Sequence, residues 1–154
     1  MGVSSVAAWR QDQELASQHG MAIARFARET PERTAIVSAH GERSFGELNG
    51  RANRLARALR RSGLRRDDAV ALMCSNRAEF VEVYLACLRS GLRLTSVNWH
   101  LTAAEAGYIV RDCGARALVT AARFASLVEE MSPDLAEVSL RLSIGGAIEG
   151  FDSY

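Results

Sequence analysis

The 154 residues are 48% hydrophobic and 24% charged, with only 2 prolines; this is the composition of one globular domain with its own core, and it excludes a disordered, collagen-like or mucin-like chain. Basic residues number 19 against 18 acidic ones, so no global field gathers nucleic acid or an anionic membrane. All 19 basic residues are Arg, which excludes any phosphate-loop lysine, Schiff base or lysine general base within the chain.

Helical segments are expected between Ser5 and Arg28, broken near Gly20 and leading to Thr30-Pro31. Thr34 to Ser38 and Glu42 to Phe45 flank Ala39-His40-Gly41, the pattern of a β-hairpin whose glycine supplies a positive φ. Ser44 and Glu47 form a capping box, and Leu48, Ala52, Leu55, Ala56 and Leu59 make one apolar helical stripe that Gly63 ends. Ala69 to Cys74 reads as a buried strand. Asn76 with Glu79 is expected to cap the next helix, whose apolar residues from Phe80 to Leu88 spread around it and demand burial on more than one side, up to Gly91. Leu94 to Asn98 is the next strand, and Thr102 with Glu105 opens a helix that stops at Cys113-Gly114. Ala117 to Thr120 is a strand, Phe124, Leu127, Val128 and Met131 a helical stripe ended by Ser132-Pro133, and Leu140 to Ile144 a last strand before Gly145-Gly146. Repeated strand–helix–strand units require right-handed crossovers, so the fold class is α/β: a mainly parallel sheet with flanking helices, plus an N-terminal β-hairpin.

Cys74, Cys87 and Cys113 are odd in number and widely spaced, without a C-x-x-C or a nearby His to complete a zinc set, and read first as reduced hydrophobes and second as a lone catalytic thiol. The N-terminus lacks the features of a secretory signal, Met1-Gly2 is a poor match to a myristoylation start, and no run approaches the length of a membrane span. A cytoplasmic protein is the expectation. The strand ending at Cys74 is followed by Ser75-Asn76-Arg77, without glycine, so neither G-x-G-x-x-G nor G-x-x-x-x-G-K is present. Ser75 and Asn76 read first as a helix cap and second as an anion contact. Arg51, Arg54, Arg57, Arg60, Arg61, Arg65 and Arg66 lie opposite the leucine stripe, a solvated face offset by Asp67 and Asp68 rather than a nucleic-acid patch. His19, His40 and His100 are too dispersed for a metal. His100, in Val97-Asn98-Trp99-His100-Leu101, follows a strand and precedes a capped helix, where open parallel sheets present ligand contacts; a plain loop histidine beside a space-filling Trp99 is the other reading.

Taken in order, these features resemble the N-terminal region of the AMP-forming acyl-CoA synthetases, in the adenylate-forming superfamily. The similarity runs from Thr30 to Thr120 and more loosely beyond. It rests on the hairpin and Phe45-x-Glu47-Leu48, the Ala/Leu/Arg helix ending at Gly63, and Asp68-x-Val70 opening a strand. It continues through Asn76 and Glu79 before an apolar helix ending at Gly91, Val97-Asn98 before Leu101, and then Glu105, Tyr108 and Asp112. Two positions depart from the pattern: Asp67 stands where the family usually has glycine, and Ser96 where many members have proline.

The resemblance implies an acid:CoA ligase that uses ATP, Mg2+ and coenzyme A to activate a carboxylic acid, fatty or of related hydrophobic character. It implies residues 1–29 as an N-terminal helical segment and 30–154 as the first, incomplete α/β subdomain region of the AMP-binding domain. The family's phosphate-binding loop, ribose-binding Asp and catalytic Lys would lie beyond Tyr154, so no catalytic or metal-binding residue is assigned here and the chain alone is expected to be inactive. His100 matches a position that in some members meets the nucleotide end of coenzyme A, and is the one cofactor-side candidate. Uncovered apolar surface makes self-association an expectation, with neither nucleic acid nor a membrane span. A non-catalytic binding module on the same scaffold stays open as the alternative, and a small flavodoxin-like nucleotide-binding domain as a third reading.

Overall fold

The computed structural model describes residues 3–18 and 20–154; Met1-Gly2 and His19, named above, lie outside them. Two helices, α1 (Val3–Gln18) and α2 (Ala24–Glu29), precede the hairpin β1 (Thr34–Ser38) and β2 (Gly41–Ser44). There follow α3 (Phe45–Arg61), β3 (Ala69–Met73), α4 (Ala78–Ser90), β4 (Arg93–Ser96), α5 (Ala103–Asp112), β5 (Ala115–Ala121), α6 (Ala125–Glu130), β6 (Leu140–Ile144) and the two-residue β7 (Asp152–Ser153). Short 3₁₀ turns at Ala122–Phe124 and Ser132–Leu135 flank α6.

The hairpin is antiparallel, and the other strands form one all-parallel sheet in the order β4-β3-β5-β6-β7. Strand β3, Ala-Val-Ala-Leu-Met, is buried at every position, as a central strand covered on both faces must be. Strand β5 is buried everywhere except Arg116. The main core joins these strands to Leu59 of α3, Val83 and Cys87 of α4, Val110 of α5 and Met131 after α6. A second small core of Leu48, Ala52 and Leu85, with Ile23, Ile36 and Val81 against it, seats the hairpin and the end of the N-terminal segment on α3 and α4. Arg89 of α4 reinforces that joint by donating to the Gly20 carbonyl, to Asn53 Oδ1 and to the carbonyl and side-chain oxygens of Asn49. Phe26 also stacks on Phe45, with ring centroids 5.1 Å apart.

Both Ser44–Glu47 and Thr102–Glu105 form complete capping boxes. Because Ser44 is already a cap, β2 stops there and Phe45 begins α3 instead of ending the hairpin strand. The expected cap at Asn76 does not form. The cap of α4 is Arg77, in extended conformation and without a side-chain bond. A box starting there needs its acid at residue 80, and that residue is Phe, so Glu79 is one position out of register and instead accepts from Arg77. Helix α4 is buried over a wide face, through Val83, Ala86 and Cys87 towards the sheet and Leu85 towards α3, but Tyr84 and Leu88 are exposed. The stripe from Phe124 to Met131 folds as a 3₁₀ turn entering a shorter α6. Strand β4 ends two residues earlier than its apolar run, and β5 is longer at both ends.

Asp67 has φ +69°, and among the described residues it is the non-glycine with positive φ. Its N–H bonds the Gly91 carbonyl and its own carbonyl accepts from Arg93, so the backbone is held in the left-handed region that glycine adopts without strain. Asp67→Gly is therefore expected to raise stability by about 0.5–1 kcal/mol, the relief of strain less the added entropy of the unfolded chain. Leu72→Ala, in the central strand, is expected to lower it by about 2–5 kcal/mol. Urea midpoints of the two variants check both values.

Candidate functional site at the carboxyl edge of the sheet

In an all-parallel sheet the loops that follow the strands gather on one edge. The chain leaves β3 for β4 on one side, then passes β3 and continues from β5 to β6 on the other, so the winding reverses between β3 and β5. That reversal opens the crevice where α/β sheets take ligands. Four segments meet the edge: Cys74–Arg77, Val97–Leu101, Ala122–Phe124 and Gly145-Gly146.

After β3, Cys74 is buried, and burial pushes its thiol up to about 11. Cys87, inside the core, is pushed up to about 12 for the same reason. Both are neutral hydrophobes at ordinary pH, not nucleophiles. Ser75 Oγ lies 3.4 Å from His40 Nε2 of the hairpin. Arg77 donates to Glu79 from Nε at 2.8 Å and from a terminal nitrogen at 3.1 Å. A Cβ placed on Gly145, which has φ +77°, would stand 3.5 and 3.6 Å from the two terminal nitrogens of Arg77. One on Gly146 would come within 2.9 Å of Ala122 Cβ. The missing side chain at Gly146 thus lets the turn after β6 close down on the loop after β5, while the Gly145 position would leave a Cβ in ordinary contact with Arg77.

After β4, the Val97 N–H continues the sheet by donating to the Leu72 carbonyl at 2.9 Å. Asn98 Oδ1 accepts from the His100 N–H at 3.0 Å. The His100 imidazole is exposed and lies against the Trp99 indole, centroids 3.5 Å apart and planes at 31°. Trp99 is stacked on Phe124 at 5.7 Å, and the Arg123 guanidinium lies 5.4 Å from the indole centroid and 5.1 Å from the Phe124 ring. The site residue named from the sequence, His100, therefore stands on this edge beside Trp99. Ser75 and Asn76 stand there too, without a glycine turn. His40 is on the hairpin, within reach of Ser75.

A second cluster carried little signal in the sequence. Glu82 of α4 is completely buried. It accepts from Arg51 Nε at 2.7 Å and from Tyr154 Oη at 2.9 Å, with Arg43 Nε at 3.5 Å. Glu79 adds contacts to Arg77 and Arg43. Arg51 thus leaves the solvated arginine face to which its spacing assigned it, while Arg54, Arg57, Arg60, Arg61, Arg65 and Arg66 remain exposed. The available hint was a pair of carboxylates three residues apart on an otherwise apolar helix. A hollow of about 220 Å³ beside the cluster is lined by Arg51, Arg54, Leu55, Leu142, Ser153 and Tyr154. Burial, then the charge of Glu82, drives the Tyr154 phenol well above its ordinary range, so it stays a hydrogen-bond donor.

Burial works to raise the Glu79 carboxyl, but hydrogen bonds from Arg77 and from the backbone, with the charges of Arg77 and Arg43, together outweigh it and hold the group below the ordinary carboxylate value. A depressed carboxylate adds stability at pH above its unfolded value, about 4.3, and loses it as pH falls through the folded one. Stability is therefore expected to decline with acidification below that range, and Glu79→Gln to flatten the decline. Glu82→Gln leaves Arg51 and Tyr154 facing a neutral amide in a buried cluster and is expected to cost about 3–5 kcal/mol at neutral pH. Urea denaturation across pH measures both.

Comparison with known proteins places this geometry. Residues 23–149 match the family described as AMP-binding enzyme. A medium/long-chain-fatty-acid–CoA/3-oxocholest-4-en-26-oate–CoA ligase of Mycolicibacterium smegmatis is 31% identical over 114 residues, which is 74% of this chain and 21% of that protein. A fatty acid–[acyl-carrier-protein] ligase, ScoC, of Streptomyces coeruleorubidus is 33% identical over 105 residues, 68% of this chain and 20% of that one. Among solved structures, a putative long-chain-fatty-acid CoA ligase from Rhodopseudomonas palustris superposes with TM-score 0.79 at 28% identity, over 87% of this chain and 34% of that chain. The anthranilate CoA ligase AuaEII, in complex with anthranoyl-AMP, gives 0.77 at 29% identity, over 85% and 26%. The chain spans about a fifth of the length of the curated relatives it matches. With its family matched along most of its length and its parallel sheet shared with CoA ligases, this chain belongs to the AMP-binding enzyme family.

Proposed function

We propose that the chain is the leading portion of an ATP-dependent, AMP-forming acid:CoA ligase. In this reaction a carboxylate oxygen attacks the α-phosphorus of ATP and expels pyrophosphate, and the coenzyme A thiol then attacks the acyl-adenylate and expels AMP. The observation that carries the reading is the family match across residues 23–149. The acid is read as fatty or of related hydrophobic character, supported by the fatty-acid ligases among the relatives. Residues 1–29 are read as an N-terminal helical segment, and 30–154 as the first α/β subdomain region.

The residues present do not fit the triphosphate or its Mg2+. The turn after β3 has no glycine, the chain has no Lys, and among the described residues no group of three metal-ligating side chains comes together. No chemical step is therefore assigned to this chain, which is read as inactive by itself. His100 is read as facing the nucleotide end of coenzyme A, supported by its exposure at the carboxyl edge. Among the described residues no helix is long and apolar enough to cross a membrane; a cytoplasmic setting is part of the proposal, supported by three free cysteines. So is self-association through apolar surface, to which exposed Val37, Tyr84 and Tyr108 contribute.

ATP–pyrophosphate exchange across a panel of carboxylic acids, without coenzyme A, tests the reading. The purified chain is expected to be silent, and the product of a reading frame extended past Tyr154 to exchange best with hydrophobic acids. Exchange by the 154 residues alone overturns the assignment of the chemistry elsewhere. Silence of the extended protein favours a non-catalytic binding module.

A further inference from the structure

We propose that the arginine stripe of α3, formed by Arg54, Arg57 and Arg61, docks on an anionic phospholipid bilayer.

Helical spacing sets up the stripe. The core residues of α3, from Leu48 to Leu59, occupy one side of the helix. The same period carries Arg54, Arg57 and Arg61 to the opposite side, within about 10 Å of one another along the axis. All three are exposed, and the residues that share their face, Gly50 and Ala58, are small.

Nothing nearby neutralises these charges. Residues 48–66 hold seven Arg and no Asp or Glu. The two acids that follow, which the sequence pattern sets against the arginines, are engaged elsewhere: Asp67 pairs with Arg66 at 3.8 Å, and Asp68 accepts from the Arg65 backbone N–H at 2.7 Å. Glu79 and Glu82 of α4 are buried with Arg77, Arg43 and Arg51. Among the described residues Arg54, Arg57 and Arg61 therefore have no carboxylate partner.

The nearly zero net charge conceals a separation. Right-handed crossovers that build first to one side and then to the other place α4 on one face of the sheet and α5 and α6 on the opposite face. Helix α3 packs beside α4. Residues 101–154, which carry α5 and α6, hold eight acidic residues against four Arg. One helical layer is thus basic and the other acidic, and the field of an anionic surface turns the α3 layer towards it.

Two features favour lipid over nucleic acid. No Phe, Tyr or Trp lies between Gly46 and Glu79, so the stripe has no platform on which bases could stack. Beside Arg54, the hollow of about 220 Å³ has Leu55, Ala58 and Leu142 in its lining. A cationic rim over an apolar recess suits an amphiphile, in which phosphate and hydrocarbon adjoin.

Co-sedimentation of the 154-residue chain with vesicles of phosphatidylcholine, alone or mixed with phosphatidylglycerol, tests the inference. Binding is expected only to the mixed vesicles, and to fall as added salt shortens the reach of the charges. Each basic residue near such a surface strengthens binding about fivefold, so Arg57→Gln combined with Arg61→Gln is expected to weaken it about 25-fold. Arg57→Lys with Arg61→Lys keeps the charges and is expected to keep the binding. Arg111→Gln with Arg116→Gln removes as much charge from the acidic half and is expected to leave binding unchanged. Equal binding to both kinds of vesicle, binding to neither, or binding that survives the double Gln variant overturns the inference. Stripe-dependent binding of duplex DNA without binding to mixed vesicles assigns the face to nucleic acid and overturns it. Stripe-dependent self-association without vesicle binding assigns the face to the acidic side of a second copy, and overturns it as well. Neither ATP nor a carboxylic acid is present in this assay, so its outcome is independent of pyrophosphate exchange and of the ligase reading.

Discussion

A strand buried on both faces tolerates only apolar or fully paired side chains, and β3 is that strand here. Its five residues, Ala69 to Met73, lie between β4 and β5 and under helices on either side. The hydrogen bonds of the parallel ladder satisfy its backbone, and burial removes its side chains from water. The candidate site at the carboxyl edge is arranged around that placement. The chain enters the sheet at β3 and builds outwards first to β4 on one side and then through β5, β6 and β7 on the other, so the crevice lies between β3 and β5. The loops that follow β3, β4 and β5 then converge although 20 or more residues separate each from the next.

The carboxyl edge carries two kinds of residue. Some close the backbone: Gly146 admits Ala122 at a distance a Cβ would contest, and Gly145 holds a positive φ beside Arg77. Others face solvent on a stacked aromatic base: His100 and Arg123 around Trp99 and Phe124. The chain has no lysine, and the turn after β3 has no glycine.

Behind the edge, the cluster around Glu82 ties four separate pieces of chain together: the hairpin through Arg43, α3 through Arg51, α4 through its own carboxylates, and the end of the sheet through Tyr154. A buried carboxylate is costly unless every oxygen finds a partner, and here both do. Such an arrangement favours one relative placement of the elements over others, because a slip of any partner strands a charge away from water.

Much of the fold was legible in the sequence because its signals are local. Capping boxes at Ser44 and Thr102, glycines after α3 and α4, the apolar run of β3 and the position of His100 after a strand all act within a few residues of themselves. The same residues supported the family resemblance. The cap at Asn76 was misread because the competing partner of Glu79 is Arg77, and which of them wins depends on where the loop after β3 is carried. Arg51 groups with the solvated arginines and Glu82 carries little signal in the sequence, because helical spacing cannot tell that Tyr154, 72 residues beyond Glu82, comes to lie against that carboxylate. Nor did spacing show that Arg123 shares an indole with His100. By itself the sequence determined the elements, their order and the α/β class, since propensity, capping and period are properties of neighbours along the chain. Only the tertiary structure decided which charges are buried in pairs and which are left facing solvent, because that depends on which distant segments the sheet brings side by side.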